Sequence, residues 1–184
     1  EFGEIIFINA DIALKTFSPE IINEMQQENN LVQEYMNLIA SARIPFEDGI
    51  YTISQMSPFK NDADDERRLA AWKAEGKWYK DHQDQLDDIY DRLVALRDSM
   101  GRKLGYDGYT QLGYYRMERN CYTKDDVQKF REAVQKYLVP VADRIFKDQA
   151  DRLGKIYPMS FADNQLEFRS GNPVPTGIDS YKDE

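Results

Sequence analysis

From Leu69 to Leu104 one set of residues recurs at alternating steps of three and four: Leu69, Trp72, Gly76, Tyr79, Gln83, Leu86, Tyr90, Leu93, Arg97, Met100 and Leu104. That spacing lays a single stripe along one side of an α-helix. Asp64 and Asp65 put acids where such a helix begins, and Gly105 is the residue type that ends one. The spacing predicts a helix over 64–104, roughly 60 Å long if unbroken at about 1.5 Å per residue. A break is allowed near Lys80–Asp84, where the stripe turns polar. Gly76 and Gln83 make it a poor coiled coil, so the helix is expected to pack inside a helical domain.

The remaining elements follow from local signals. The apolar run Ile5, Ile6, Phe7, Ile8 is too short to separate strand from buried helix. Ser18 and Pro19 suit a helix cap and first position, and the pattern predicts a helix over 18–42. IPFEDGIYTI, residues 44–53, has Asp48-Gly49 between apolar flanks and reads as a β-hairpin. A short helix is expected over 111–119. Thr123 caps a further helix over 123–153, with Val127, Phe130, Val134, Tyr137, Val141 and Ile145 as its buried face. Pro140 should kink that helix, and Gly154 ends it. The tail, 155–184, reads as irregular, with a candidate strand at Gln165–Arg169 and turn residues Pro175 and Gly177 near its end. The expectation is a mainly α chain of long antiparallel helices with one short hairpin, folding as a single helical unit over 1–184. The first residue is Glu1 and the last stretch reads as a loop in mid-course, so the sequence is read as part of a longer protein.

Composition narrows the function classes. A formal charge of -9 argues against nucleic acid as a partner. No apolar run is long enough to span a bilayer, so no membrane partner is expected. EFGEIIFINA has neither a basic start nor a small-residue cleavage site. The single cysteine, Cys121, excludes an internal disulfide and is compatible with a reducing, cytoplasmic location.

Catalytic signatures are sparse. With one histidine, His82, the chain cannot supply a two-histidine zinc site, and no Glu-x-x-His occurs. His82 reads as a surface residue. Cys121 has no base beside it in sequence. Asp81, Asp84, Asp87, Asp88 and Asp91 read with Arg92 and Arg97 as an ion-paired helix face. Asp62, Asp64, Asp65 and Glu66 read as helix-start charges, since they lack a calcium-loop pattern.

LGYDGYTQLGYYRMERNCYT, residues 104–123, stands apart. It holds five of the twelve tyrosines and the only cysteine. Tyrosine joins a large apolar ring to a polar tip and suits a half-buried wall. A structural reading gives turns at Gly105 and Gly108, with Tyr109, Leu112 and Tyr115 packed inward. A functional reading makes the stretch one wall of a peptide channel, where tyrosine hydroxyls and Arg116 or Arg119 meet peptide carbonyls or a carboxylate.

Three stretches together resemble a known family: KTFSPEII, ASARIPFEDGIYTISQMSPF, and LDDIYDRLVALRDSMGRKLGYDGYTQLGYYRMERNCYTKDDVQKFREAVQKYLVPVADRI. Their order and spacing are similar to the oligoendopeptidase F branch of the thimet-oligopeptidase-like zinc metallopeptidases, from about Lys15 to Gly177. The resemblance implies a mostly helical peptidase with a deep channel for short peptides. It implies one zinc in the full-length protein, held by His-Glu-x-x-His and a later Glu. This chain has no such motif, so it would lie upstream of it, with no catalytic residue, no metal ligand and no cofactor of its own. Tyr114, Tyr115, Arg116 and Arg119 become candidates for the channel wall, though neighbouring helical residues face different ways and not all four can. Self-association through faces that lack their neighbours is a further expectation. The alternatives are a self-contained helical interaction module and a thiol enzyme using Cys121.

Overall fold

The computed structural model describes residues 3–173. Pro175 and Gly177 of the tail lie outside them. The fold is mainly α with one two-stranded antiparallel hairpin. It forms two compact units. One takes the residues up to Ser41 together with Tyr79–Glu132; the other takes Ala42–Trp78 and the residues from Ala133 onward.

In the first unit the ambiguous apolar run is helical, as α1, Glu4–Leu14. Ser18 accepts the Glu20 N–H at 3.3 Å, and Pro19 opens a 3-10 turn, Pro19–Ile21, that leads into α2, Ile22–Ala40. Strands β1, Ile44–Phe46, and β2, Gly49–Tyr51, belong to the second unit. Phe46 pairs with Gly49, so the two turn residues are Glu47 and Asp48, one position before the expected Asp48-Gly49. Glu47 takes φ 49°, and Arg67 holds its carboxylate with bonds of 2.7 and 3.0 Å.

The short α3, Ser57–Lys60, precedes the long stripe. The stripe is divided at His82 into α4, Asp65–Asp81, and α5, Gln83–Lys103. His82 leaves helical geometry at φ -111°, ψ 12°, within the polar stretch where a break was allowed. It is half-buried, not fully on the surface. The face that α4 buries also differs from the apolar stripe. Arg68, Ala71, Glu75 and Trp78 are buried, one residue before each expected position, while Leu69 and Gly76 are exposed. Arg68 tolerates this because every part of its guanidinium is matched: Asp65 and Asp163 on one side, and the carbonyls of Asp62 and Ala162 on the other. Glu75 is matched by Lys60 at 2.8 Å.

Helix α5 packs on α2 in the first unit, and Met100, Ile21 and Leu112 form the centre of that core. Helices α6, Tyr109–Arg116, and α7, Lys124–Ala133, follow. Thr123 and Asp126 cap α7 reciprocally: Asp126 accepts the Thr123 N–H at 2.9 Å, and Thr123 Oγ1 accepts the Asp126 N–H at 3.3 Å. A π-helical segment, Val134–Leu138, joins α7 to α8, Val139–Leu153. Pro140 cannot donate a backbone hydrogen bond, and the wider π-helical turn before it accommodates the missing donor.

The expected buried face of α7 and α8 is open. Phe130 is 68% and Ile145 58% exposed, and α7 buries no residue. The amphipathic pattern is present, but no described element covers it. Only the end of α8 is enclosed, where Gln149 donates to the carbonyls of Asn164 and Leu166. Gln165–Arg169 is turn and bend, not a strand, and is held by these side-chain bonds.

Candidate functional site

Helix α6 has only two turns and lies between two chain reversals built by the same device, one closing α5 and one closing α6 itself. At the end of α5, Gly105 takes φ 84°, its N–H bonds Arg102 O at 2.9 Å, and Tyr106 N–H bonds Gly101 O at 3.0 Å. This satisfies carbonyls that a helix end otherwise leaves bare. The chain then passes so close to α5 that a side chain at Gly101 would collide with the Gly108 carbonyl. After α6 the pair of bonds recurs, Glu118 N–H to Tyr115 O at 2.8 Å and Arg119 N–H to Tyr114 O at 3.1 Å. Here the left-handed position is a glutamate, at φ 50°.

The two reversals fix which way the candidate residues face. Arg116 turns toward α2, where Nη1 and Nη2 meet the Glu28 carboxylate at 3.1 and 2.8 Å. Arg97 Nε reaches the same carboxylate at 2.7 Å, and the Tyr109 hydroxyl accepts from Arg116 at 3.2 Å. Glu28 is buried. Burial pushes its carboxyl up, but the Arg116 and Arg97 hydrogen bonds outweigh that and hold it below the usual carboxylate range.

Tyr114, Tyr115 and Arg119 face the other way. They line a recess of about 600 Å³ closed by Ile8, Ile12 and Lys15 of the α1 region and by the Asn120–Asp126 segment. The Arg119 guanidinium lies 4.4 Å from the Tyr114 ring centre and 5.7 Å from that of Tyr122. Lys15 sits 5.5 Å over the Tyr115 ring and donates to Asp11 at 2.5 Å, which raises its ammonium above the ordinary lysine range. Asn120 ties the loop to α1 by donating to Asn9 at 2.6 Å. Cys121 also lines the recess and is an exposed free thiol.

Of the four candidates the structure therefore brings three together and turns Arg116 away. Lys15, Asn120 and Tyr122 join them unannounced. Tyr122 lay in the tyrosine-rich stretch, but nothing in the sequence near Lys15 marks it as a neighbour of α6. Such a wall of rings with fixed cations can hold and orient a small polar ligand. The residues do not fit a zinc centre, because among the described residues no three His, Cys, Asp or Glu side chains gather around one point. Among those residues, too, no helix is long and apolar enough to cross a membrane.

The architecture is shared with part of peptidases of known structure. It matches a structure of PZ peptidase A with an inhibitor at a TM-score of 0.92, with 37% identity over 97% of this chain and 32% of that one. A crystal structure described as an oligoendopeptidase F matches at a TM-score of 0.92, 36% identity, and the same coverage. Another so described, from Bacillus anthracis str. Ames, matches at a TM-score of 0.91 and 36% identity, over 97% of this chain and 33% of that one. No family model and no curated protein matches the sequence. The chain belongs to the oligoendopeptidase F family and spans about one third of the length of these structures.

Proposed function

We propose that this chain is the helical, non-catalytic portion of a zinc-dependent oligoendopeptidase that hydrolyses short peptides in the cytoplasm. One observation carries the reading: 36–37% identity is kept over 97% of the chain at TM-scores of 0.91–0.92 to peptidase structures. Conservation of that extent over a whole helical assembly supports a shared role in one larger enzyme. The zinc and the glutamate that activates water are assigned to the rest of the protein, on a His-Glu-x-x-His motif beyond this chain. When bound there, zinc supplies the polarisation of the scissile carbonyl and an activated water. This chain contributes the wall that receives the peptide, with Tyr114, Tyr115 and Arg119 toward the ligand. Arg116 supports that wall from behind, through Glu28.

The test compares two preparations. The product of the complete gene should cleave short peptides and lose that activity to a zinc chelator, whereas the 184-residue chain should cleave none. Chelator-sensitive cleavage by the short chain alone would overturn the assignment of catalysis to other residues. Absence of the motif from the complete gene would overturn the peptidase reading. The interaction-module reading would then take its place, since the exposed apolar residues of α7 and α8 suit a binding partner.

A further inference from the structure

We propose that Arg119, lying over the Tyr114 and Tyr122 rings, anchors the C-terminal carboxylate of a short peptide in the recess beside α6. The inference rests on the peptide-binding reading above and names the ligand group that the recess takes. Its basis is an uncommitted guanidinium. Arg67, Arg68, Arg92, Arg97, Arg102 and Arg116 each reach a carboxylate within 3.0 Å. Arg119 reaches none among the described residues. Its guanidinium carbon lies instead over two aromatic rings, 4.4 and 5.7 Å from their centres. Among the described residues no acceptor takes its side-chain N–H groups, so the edge that grips a carboxylate in two parallel hydrogen bonds is available.

The backbone that carries this side chain is also held in place before any ligand arrives, and the two rings restrict the side chain itself. The Arg119 backbone N–H closes the turn after α6, onto Tyr114 O, and the next residue, Asn120, is tied to Asn9 of α1. Less side-chain freedom is then lost on binding.

The charges of the recess select the ligand class. Lys15, Arg119 and Lys124 line it together with Asp11, Asp125 and Asp126. Asp11 is engaged by Lys15, and Asp126 by the Thr123 cap. A balanced recess with one free fork suits a ligand carrying a single local anionic group and an otherwise neutral body. A polyanion would meet as much repulsion as attraction. A peptide ending in a free carboxylate has the required chemistry.

The test is an NMR titration of the 184-residue chain with acetylated tetra-alanine, as the free acid and as the C-terminal amide. The acid should bind on the order of tenfold tighter, as expected for a charge-assisted pair, with the largest shifts at Tyr114, Arg119 and Tyr122. Arg119→Gln should remove that preference, and Arg119→Lys, which keeps the charge and loses the fork, should keep part of it. Should Arg119→Gln fail to fold, the acid and amide comparison on the unaltered chain still decides. Equal binding of acid and amide, no binding of either, or an acid preference that survives Arg119→Gln would overturn the proposal. Peptide hydrolysis by the complete gene product is scored separately. Cleavage with no acid preference removes the anchor alone. An acid preference without cleavage keeps the carboxylate site and removes the peptidase reading.

Discussion

Glu118 occupies the left-handed position after α6, at φ 50°, where Gly105 and Gly154 serve at the ends of α5 and α8. A side chain in that conformation costs about 1 kcal/mol, part of which glycine gives back through unfolded-state entropy. Glu118→Gly should therefore stabilise the chain by about 0.5 kcal/mol, read as a higher urea midpoint with an unchanged slope. A lower midpoint would mean that the carboxylate makes contacts that outweigh the strain. Glu28 shows the opposite situation, a charge that the fold depends on. Removing its charge leaves Arg97 and Arg116 facing each other without an anion, although each is about a third exposed and can draw on water. Glu28→Gln should cost about 2 kcal/mol. Because the folded carboxyl titrates below its unfolded value, its stabilisation is complete above about pH 4.3 and is lost as pH falls through the folded value. The acid limb of a stability–pH curve should flatten in Glu28→Gln. An identical limb in both proteins would show that Glu28 contributes nothing to acid sensitivity.

Elements were legible in the sequence where a residue acts on its own backbone. Gly105, Gly154, Thr123 and Ser18 each stop or start a helix through bonds to neighbours within a few positions, so their roles survive without knowledge of the fold. The buried face of α4 was not legible. Hydropathy favours Leu69, but burial goes to Arg68, whose partner Asp163 lies 95 residues away. The candidate site divides in the same way. Three of its four residues share one recess, and the fourth is decided by Glu28, 88 residues before Arg116. Two glycines test how far helix packing, as distinct from propensity, sets these elements. A side chain at Gly101 meets the Gly108 carbonyl, while one at Gly76 meets nothing within 4 Å. Gly76→Ala should raise stability by about 1 kcal/mol, the usual propensity difference. Gly101→Ala should lower it by about 1–3 kcal/mol, because the α5–α6 loop must move. Thermal melts of both would separate the two effects, and a stabilised Gly101→Ala would show that the crossing is not tightly packed.

At the scale of the molecule, the exposed apolar side chains need a destination. In the first unit Phe7 is 69%, Leu14 80% and Phe130 68% exposed; in the second, Tyr137 is 64% and Ile145 58% exposed. Their helical spacing is that of a face made to be covered, since scattered single residues would carry no period. The chain matches a third of the length of its relatives, so covering by the rest of such a protein is the economical account. Until that cover is present, the same faces should pair with one another, giving association driven by apolar burial at roughly 25 cal/mol per Å² removed from water. The 184-residue chain should therefore sediment as a species whose mean mass rises with concentration. Phe130→Ser with Ile145→Ser should move it toward the monomer while leaving far-UV helicity unchanged, because neither side chain is buried within its own unit. Salt should have little effect, which separates this association from pairing through the acidic helix faces. A chain that stays monomeric at high concentration would show that the exposed faces are too small or too dispersed to self-associate, and their cover in a longer protein would then have to be sought by direct complementation.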